Sequence, residues 1–136
     1  MSAVSSVKQR APRVTAIQSA ERSISIDFDG CIHRYSRGWH TRDIYDPPMD
    51  GAHQALKSLS AAYGVFIMSA RSAKDIVKWC RKQFPDLRFQ LIGPKVSYWN
   101  RKGVIGVTNR KLPALTYIDD RGLRFTNWVD MVNHFR

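Results

Sequence analysis

Apolar positions along the chain come in short blocks whose spacing alternates between that of strands and that of helices. Ser23 to Phe28 (SISIDF) places Ile24, Ile26 and Phe28 on one side and breaks off at Asp29-Gly30, the pattern of a strand ending in a tight turn. From Asp50 to Tyr63, residues Ala52, Ala55, Leu56, Leu59 and Ala62 recur at helical spacing, with Asp50 as the expected N-cap. Val65 to Met68 is a continuous apolar run, as in a strand buried on both faces, and it ends at Ser69. A second helix is expected from Ser72, with Ser72 and Asp75 as a capping pair and Ile76, Val77, Cys80 and Phe84 as its buried stripe, stopped by Pro85.

Later blocks are shorter. Phe89 to Ile92 reads as a third strand. Val96 to Trp99 and Val104 to Val107 flank the turn-like Asn100-Arg101-Lys102-Gly103, which predicts a β-hairpin insertion. Leu115 to Ile118 is a strand running into Asp119-Asp120, and Asn127 caps a last helix over Trp128 to Phe135. Gly30 to Pro48 lacks periodicity and reads as a loop or flap over the end of the first strand.

Strands alternating with helices predict an α/β fold: a three-layer, Rossmann-like parallel sheet with helices on both faces and the small hairpin inserted. At 136 residues there is room for one core, so one domain over residues 21–136 holds both fold and site, preceded by a basic tail over residues 1–20. No apolar run approaches the roughly 20 residues that span a bilayer, and the N-terminus lacks the apolar centre of a secretory signal. Cys31 and Cys80 show neither CxxC spacing nor the density of a disulfide scaffold. The expectation is a cytoplasmic protein without membrane partners and with reduced thiols.

Charge changes this picture. Lys and Arg number 22 against 11 Asp and Glu, a net charge of +11, and from Arg71 to Lys111 only Asp75 and Asp86 interrupt the basic residues. Such a field attracts polyanions, nucleic acid or nucleotides first among them, although a solvated basic surface explains it equally well.

Ligands of parallel sheets bind beyond the carboxyl ends of the strands. The polar residues at those ends are Asp27 and Asp29, then Ser69, then Asp119 and Asp120. Carboxylates so gathered repel one another unless a hard cation or a proton intervenes, and magnesium suits oxygen donors shared with a substrate phosphate. Asp27 and one of the acidic pair, with Asp119 preferred, are expected to bind it directly, joined by the backbone carbonyl of Asp29. Each residue has a plainer reading: Asp29-Gly30 as turn chemistry, Ser69 as a strand end with Ser72 as its rival, Lys111 as one more surface cation, and Arg71, Arg121 and Arg124 as counter-charges to the rim. His33, His40, His53 and His134 show no ligand spacing and read as packed or solvated rings; Tyr35, Trp39 and Tyr45 suit either a base-stacking role or packing at the core's edge.

DFDG after a strand, an apolar strand ending in Ser, a downstream Lys, and a strand ending in DD, in that order, resemble the four motifs of the haloacid dehalogenase-like superfamily. The resemblance covers about Ser23 to Phe125, and IDFDGCIH with KLPALTYIDDRGLRF is especially similar to its small bacterial and phage members. It implies a magnesium-dependent phosphatase in which Asp27 attacks phosphorus, Asp29 serves as acid and base, Ser69 and Lys111 contact the transferring group with Arg71 as a further phosphate ligand, and Asp27, Asp29, Asp119 and Asp120 form the metal site. A receiver domain of two-component signalling shares the ingredients but places its acidic pair first, whereas here DD comes last. The competing expectation is a basic nucleic-acid-binding protein that keeps the fold with little catalysis. Neither the flap nor the stretch from Ser72 to Lys111 has room for a sizeable cap, so an open site acting on nucleotides or nucleic-acid ends is the expected substrate class.

Overall fold

The computed structural model of the chain describes residues 22–136; the basic tail expected over residues 1–20 lies outside the described residues. Five strands, β1 (Ser23–Asp27), β2 (Gly64–Met68), β3 (Phe89–Leu91), β4 (Ile105–Thr108) and β5 (Thr116–Ile118), form one sheet in the order β3-β4-β2-β1-β5. Every pairing is parallel. Three helices accompany them: α1 (Ala52–Ala62), α2 (Ala73–Gln83) and α3 (Trp128–His134). This is the expected α/β Rossmann-like parallel sheet.

Strand alternation sorts the core onto two faces. Ile24, Ile26, Val65, Ile67, Ile105 and Val107 point to one side, where Leu56 of α1 and Ile76, Val77 and Cys80 of α2 pack on them. The crossovers from β1 to β2 and from β2 to β3 move in the same direction across the sheet, and right-handed connections then put both helices on the same face. On the other side Phe66 meets Ile92, Trp99, Val104 and Leu112. That face, for which the sequence predicts covering helices, is covered instead by the irregular segment 92–104, and α3 buries none of its residues.

The hairpin expectation is corrected. Residues 96–103 form no strand, and Ile105–Thr108 lies inside the parallel sheet between β2 and β3. Trp99 decides this: 4% exposed, it donates its indole N–H to the Val104 carbonyl at 3.1 Å and lies over Gly106, where an added Cβ would come within 2.8 Å of the ring. Burying a large aromatic side chain is worth about 2–3 kcal/mol, more than an exposed two-stranded ribbon offers.

Helix boundaries follow local chemistry. Ser72 caps α2 by accepting the Asp75 N–H, and Asn127 caps α3 by accepting that of Asp130. For α1 the cap is Gly51, in the left-handed region at φ 85°, and not Asp50; the buried side of that helix is Ala52, Leu56 and Ser60, leaving Ala55 and Ala62 exposed. In-register pairing of Asp27 with Met68, Met68 with Thr108, and Ile26 with Ile118 brings four strand ends to one level. The residues that follow them build the rim.

Candidate active site

Asp27 is the last residue of β1, half-buried, and its Oδ1 accepts the N–H of Phe28 at 2.8 Å. Burial pushes its carboxyl above the usual range; the Phe28 N–H opposes this, and the negative charges of Asp120, Asp119 and Asp29 add to the rise.

Two residues on, Asp29 is clamped. Nε of Arg71 donates to its Oδ1 at 2.9 Å and its Oδ2 at 2.8 Å, and Nδ1 of His33 lies 2.8 Å from Oδ1. The fully buried His33 ring is fixed from behind, because Nε2 accepts the backbone N–H of Asp46 at 3.0 Å. A backbone N–H only donates, so Nε2 carries no proton and Nδ1 must be the donor to Asp29. Oδ1 therefore accepts two bonds and Oδ2 one, which makes Oδ2 the oxygen with capacity to take or give a proton.

The same histidine roots the flap. Beyond Gly30, the N–H groups of Cys31, Ile32 and His33 all turn back to the Phe28 carbonyl, while Arg34 pairs with Pro47 and Met49 with Ile32. The tip is held by the Ser36 N–H and hydroxyl on Asp46 Oδ2, at 2.7 and 2.6 Å, and by Tyr45, whose hydroxyl donates to the Gly38 carbonyl at 2.8 Å. Trp39 stands at this tip, 64% exposed, with the Arg71 guanidinium 5.0 Å from its ring.

After β2, Ser69 is buried and its Oγ accepts the Arg71 N–H at 3.1 Å; among the described residues its hydroxyl proton has no acceptor. Asn109, directly after β4, donates through Nδ2 to the carbonyls of Ser69 and Arg71 at 2.8 and 2.6 Å and fixes this turn. Arg71 is buried and lends N–H groups to Asp29 and to the Arg42 carbonyl at 2.9 Å, while its second terminal nitrogen has no hydrogen-bond partner among the described residues.

The acidic pair divides its work. Asp119 turns onto its own loop, accepting the N–H groups of Gly122 and Arg121, and these bonds hold its carboxyl below the usual range. Asp120 instead leans over the turn after β1: at Gly30, with φ 85°, any Cβ would collide with its carboxylate. Asp27, Asp29, Ser69, Arg71, Asp120, Tyr35 and Trp39 are among the residues lining one cavity of about 410 Å³. Lys111 is not among them; it is exposed, with Nζ 4.9 Å from the Tyr117 ring.

No family model, curated protein or solved structure matches the chain. What the rim can do is therefore argued from its own donors and acceptors.

No three or more His, Cys, Asp or Glu side chains among the described residues are drawn together as a ready metal cage. Magnesium does not need one: two carboxylates and a main-chain carbonyl, completed by water and phosphate oxygens, are a usual set for it. Asp27 and Asp120 on one cavity wall fit that set, and no salt bridge reaches either of them among the described residues. With Asp119 occupied on its own loop, Asp120 is the better placed of the pair, against the preference drawn from sequence. The side chain of Asp29 is taken by Arg71 and His33, so of its oxygens only the main-chain carbonyl would be left for a metal.

His33 and Asn109 were not singled out by motif. The one available signal for His33 is its place four residues beyond Asp29, close enough to fold back across a tight turn. Cys31 stays a protonated thiol, pushed up to about 11 by burial and by Asp27, Asp120 and Asp119; burial alone pushes Cys80 to about 12. No helix among the described residues is long and apolar enough to cross a membrane.

Proposed function

We propose that the chain is a magnesium-dependent phosphomonoester hydrolase that works through an aspartyl-phosphate on Asp27, with nucleotides or nucleic-acid ends as substrates. The observation that carries this reading is the convergence of Asp27, Asp29, Asp120, Ser69 and Arg71 on one cavity beyond the carboxyl ends of a parallel sheet. An oxygen of Asp27 bonds to phosphorus as the bond to the leaving oxygen breaks, and Asp29 passes a proton from Oδ2 to that leaving alkoxide. In the second step Asp29 takes a proton from water, the water oxygen bonds to phosphorus, and the acyl-phosphate bond breaks to restore Asp27.

Asp27 and Asp120 would hold magnesium, which would supply Lewis-acid stabilisation of the phosphoryl oxygens. Ser69, with its proton uncommitted, and the unpartnered terminal nitrogen of Arg71 support contact with the same oxygens. The role proposed for Lys111 rests on its place in the sequence motif alone. The test is phosphate release from an aryl phosphate with magnesium, by wild type and by Asp27→Asn. Release by wild type alone supports the reading, and equal rates for the two proteins remove Asp27 as nucleophile. Salt-dependent retention on nucleic acid without any release by wild type would favour the binding-module alternative.

A further inference from the structure

A tryptophan is costly to leave in water, and its exposure is most informative where it borders a polar site. Trp39 is 64% exposed, whereas Tyr35 and Tyr45 beside it are half-buried and stacked on each other at 6.4 Å. Its position is held from beneath rather than by burial: Arg71 lies against the ring, and the tip carrying it is bonded by Ser36, Asp46 and Tyr45. The indole also stands between two cavities. One is the cavity with the aspartates; the other, of about 360 Å³, is lined by Trp39, Arg42, Ala70, Arg71, Ser72 and Asp75.

We infer that Trp39 is a stacking platform for a nucleobase, so that the site takes phosphate esters of nucleosides. Two observations and one point of chemistry converge on this ligand class and not on a sugar phosphate. A flat apolar face is offered to solvent in the wall of the same cavity as the phosphoryl-directed groups. A guanidinium behind the ring and the basic residues Arg42 and Arg121 around the two cavities suit an anionic ester, and the chain's charge of +11 extends that attraction. A sugar without a base would leave the indole uncovered, whereas every nucleobase presents a π-face that stacks on it regardless of sequence.

This inference rests on the phosphatase reading for its catalytic assay, and a binding assay tests it separately. Wild type, Trp39→Ala and Trp39→Phe are compared on a nucleoside monophosphate, on 5′- and 3′-phosphorylated oligonucleotides, and on glycerol phosphate, all with magnesium. The readout is selectivity, the ratio of kcat/KM for each nucleotide arm to that for glycerol phosphate. It is expected to fall roughly 5- to 100-fold in Trp39→Ala, the range that base–aromatic stacking usually gives, and to be largely restored in Trp39→Phe. A larger loss on oligonucleotides than on the monophosphate assigns the platform to a polymer end; an equal loss assigns it to the terminal nucleotide alone.

An unchanged ratio in Trp39→Ala, or no preference of wild type for nucleotides, overturns the inference; the second result also removes the nucleotide substrate class from the proposed function, while hydrolysis through Asp27 stands in both cases. If wild type hydrolyses nothing, the phosphatase reading fails instead. Stacking is then decided by the Kd of a labelled phosphorylated oligonucleotide for Asp27→Asn and for Asp27→Asn with Trp39→Ala. Weakening of fivefold or more in the double variant sustains the platform, and equal affinity removes it.

Discussion

Nδ1 of His33 lies 2.8 Å from Oδ1 of Asp29, while Nε2 of the same ring accepts the Asp46 N–H at 3.0 Å, so one buried imidazole joins the turn after β1 to the far end of the flap. Its ring also stacks on Phe28 at 5.6 Å and meets Trp79 edge-on at 5.9 Å. The hydrogen bonds leave Oδ2 the less engaged oxygen of Asp29, and the ring contacts set where the imidazole stands.

Replacing His33 by Phe keeps the ring packing but deprives Asp29 and the Asp46 N–H of partners. We expect a loss of about 1–3 kcal/mol in urea denaturation, the usual penalty for buried polar groups left unpaired. The proposed phosphatase rate should fall about 10- to 100-fold in kcat, with a smaller change in KM. His33→Asn, which can still donate at the Nδ1 position, should recover part of kcat. A wild-type kcat in His33→Phe with damage in His33→Asn would mean that the ring serves only packing.

Arg71 is expected to resist conservative replacement. Lysine has one nitrogen where the guanidinium uses two to reach the Asp29 carboxylate and the Arg42 carbonyl together. Arg71→Met leaves the mostly buried Asp29 without its counter-charge, at a cost of about 3 kcal/mol. Arg71→Lys should recover less than half of that loss, as read from the denaturation midpoint.

Asp27, the proposed nucleophile, also governs a pH-dependent part of stability. Its carboxyl is raised by burial first and by the surrounding aspartates after that, so the folded protein holds this proton more tightly than the unfolded chain does. The associated stability is fully present below the ordinary aspartate range near pH 4 and is lost as pH rises through the raised value. In chelator-treated protein, Asp27→Asn should therefore melt above wild type at pH 7, and the gap should close as pH falls toward 4. A gap that widens on acidification would contradict the crowding inferred for this rim.

Magnesium should raise the melting temperature of wild type, and the two acidic-pair variants should separate its ligands. At a metal concentration 100 times Kd the stabilisation is about 2.7 kcal/mol. Asp120→Asn should lose most of this shift. Asp119→Asn keeps an oxygen able to accept the Gly122 and Arg121 N–H groups and should retain most of it. The reverse ranking would return Asp119 to the metal.

β1 and β2 were legible because their side-chain patterns state their burial: alternation for Ile24 and Ile26, and an unbroken apolar run for Val65 to Met68. β4 was misread because Asn100 to Gly103 has turn composition, while the true partners of Ile105–Thr108 are strands distant in sequence. The strand-end aspartates stood out for the same reason that β1 did, since polar residues end an apolar pattern. Arg71 was legible as a counter-charge to the acidic rim, but its pairing with Asp29 in particular was not: the two lie 42 positions apart, and their meeting depends on a turn fixed by Asn109. Such pairings are written in tertiary geometry, which local spacing does not encode.

The flap's construction separates what can vary from what cannot. Its base shares His33 with Asp29, so a change there disturbs the flap and the turn after β1 together, whereas residues 37–44 at its apex lie between the anchors Ser36, Tyr45 and Asp46 and meet Arg71 through the Arg42 carbonyl and the Trp39 ring. Selection, or an engineer, could thus exchange side chains at the apex to reshape the cavity mouth while the carboxylates of Asp27 and Asp29 keep their alignment.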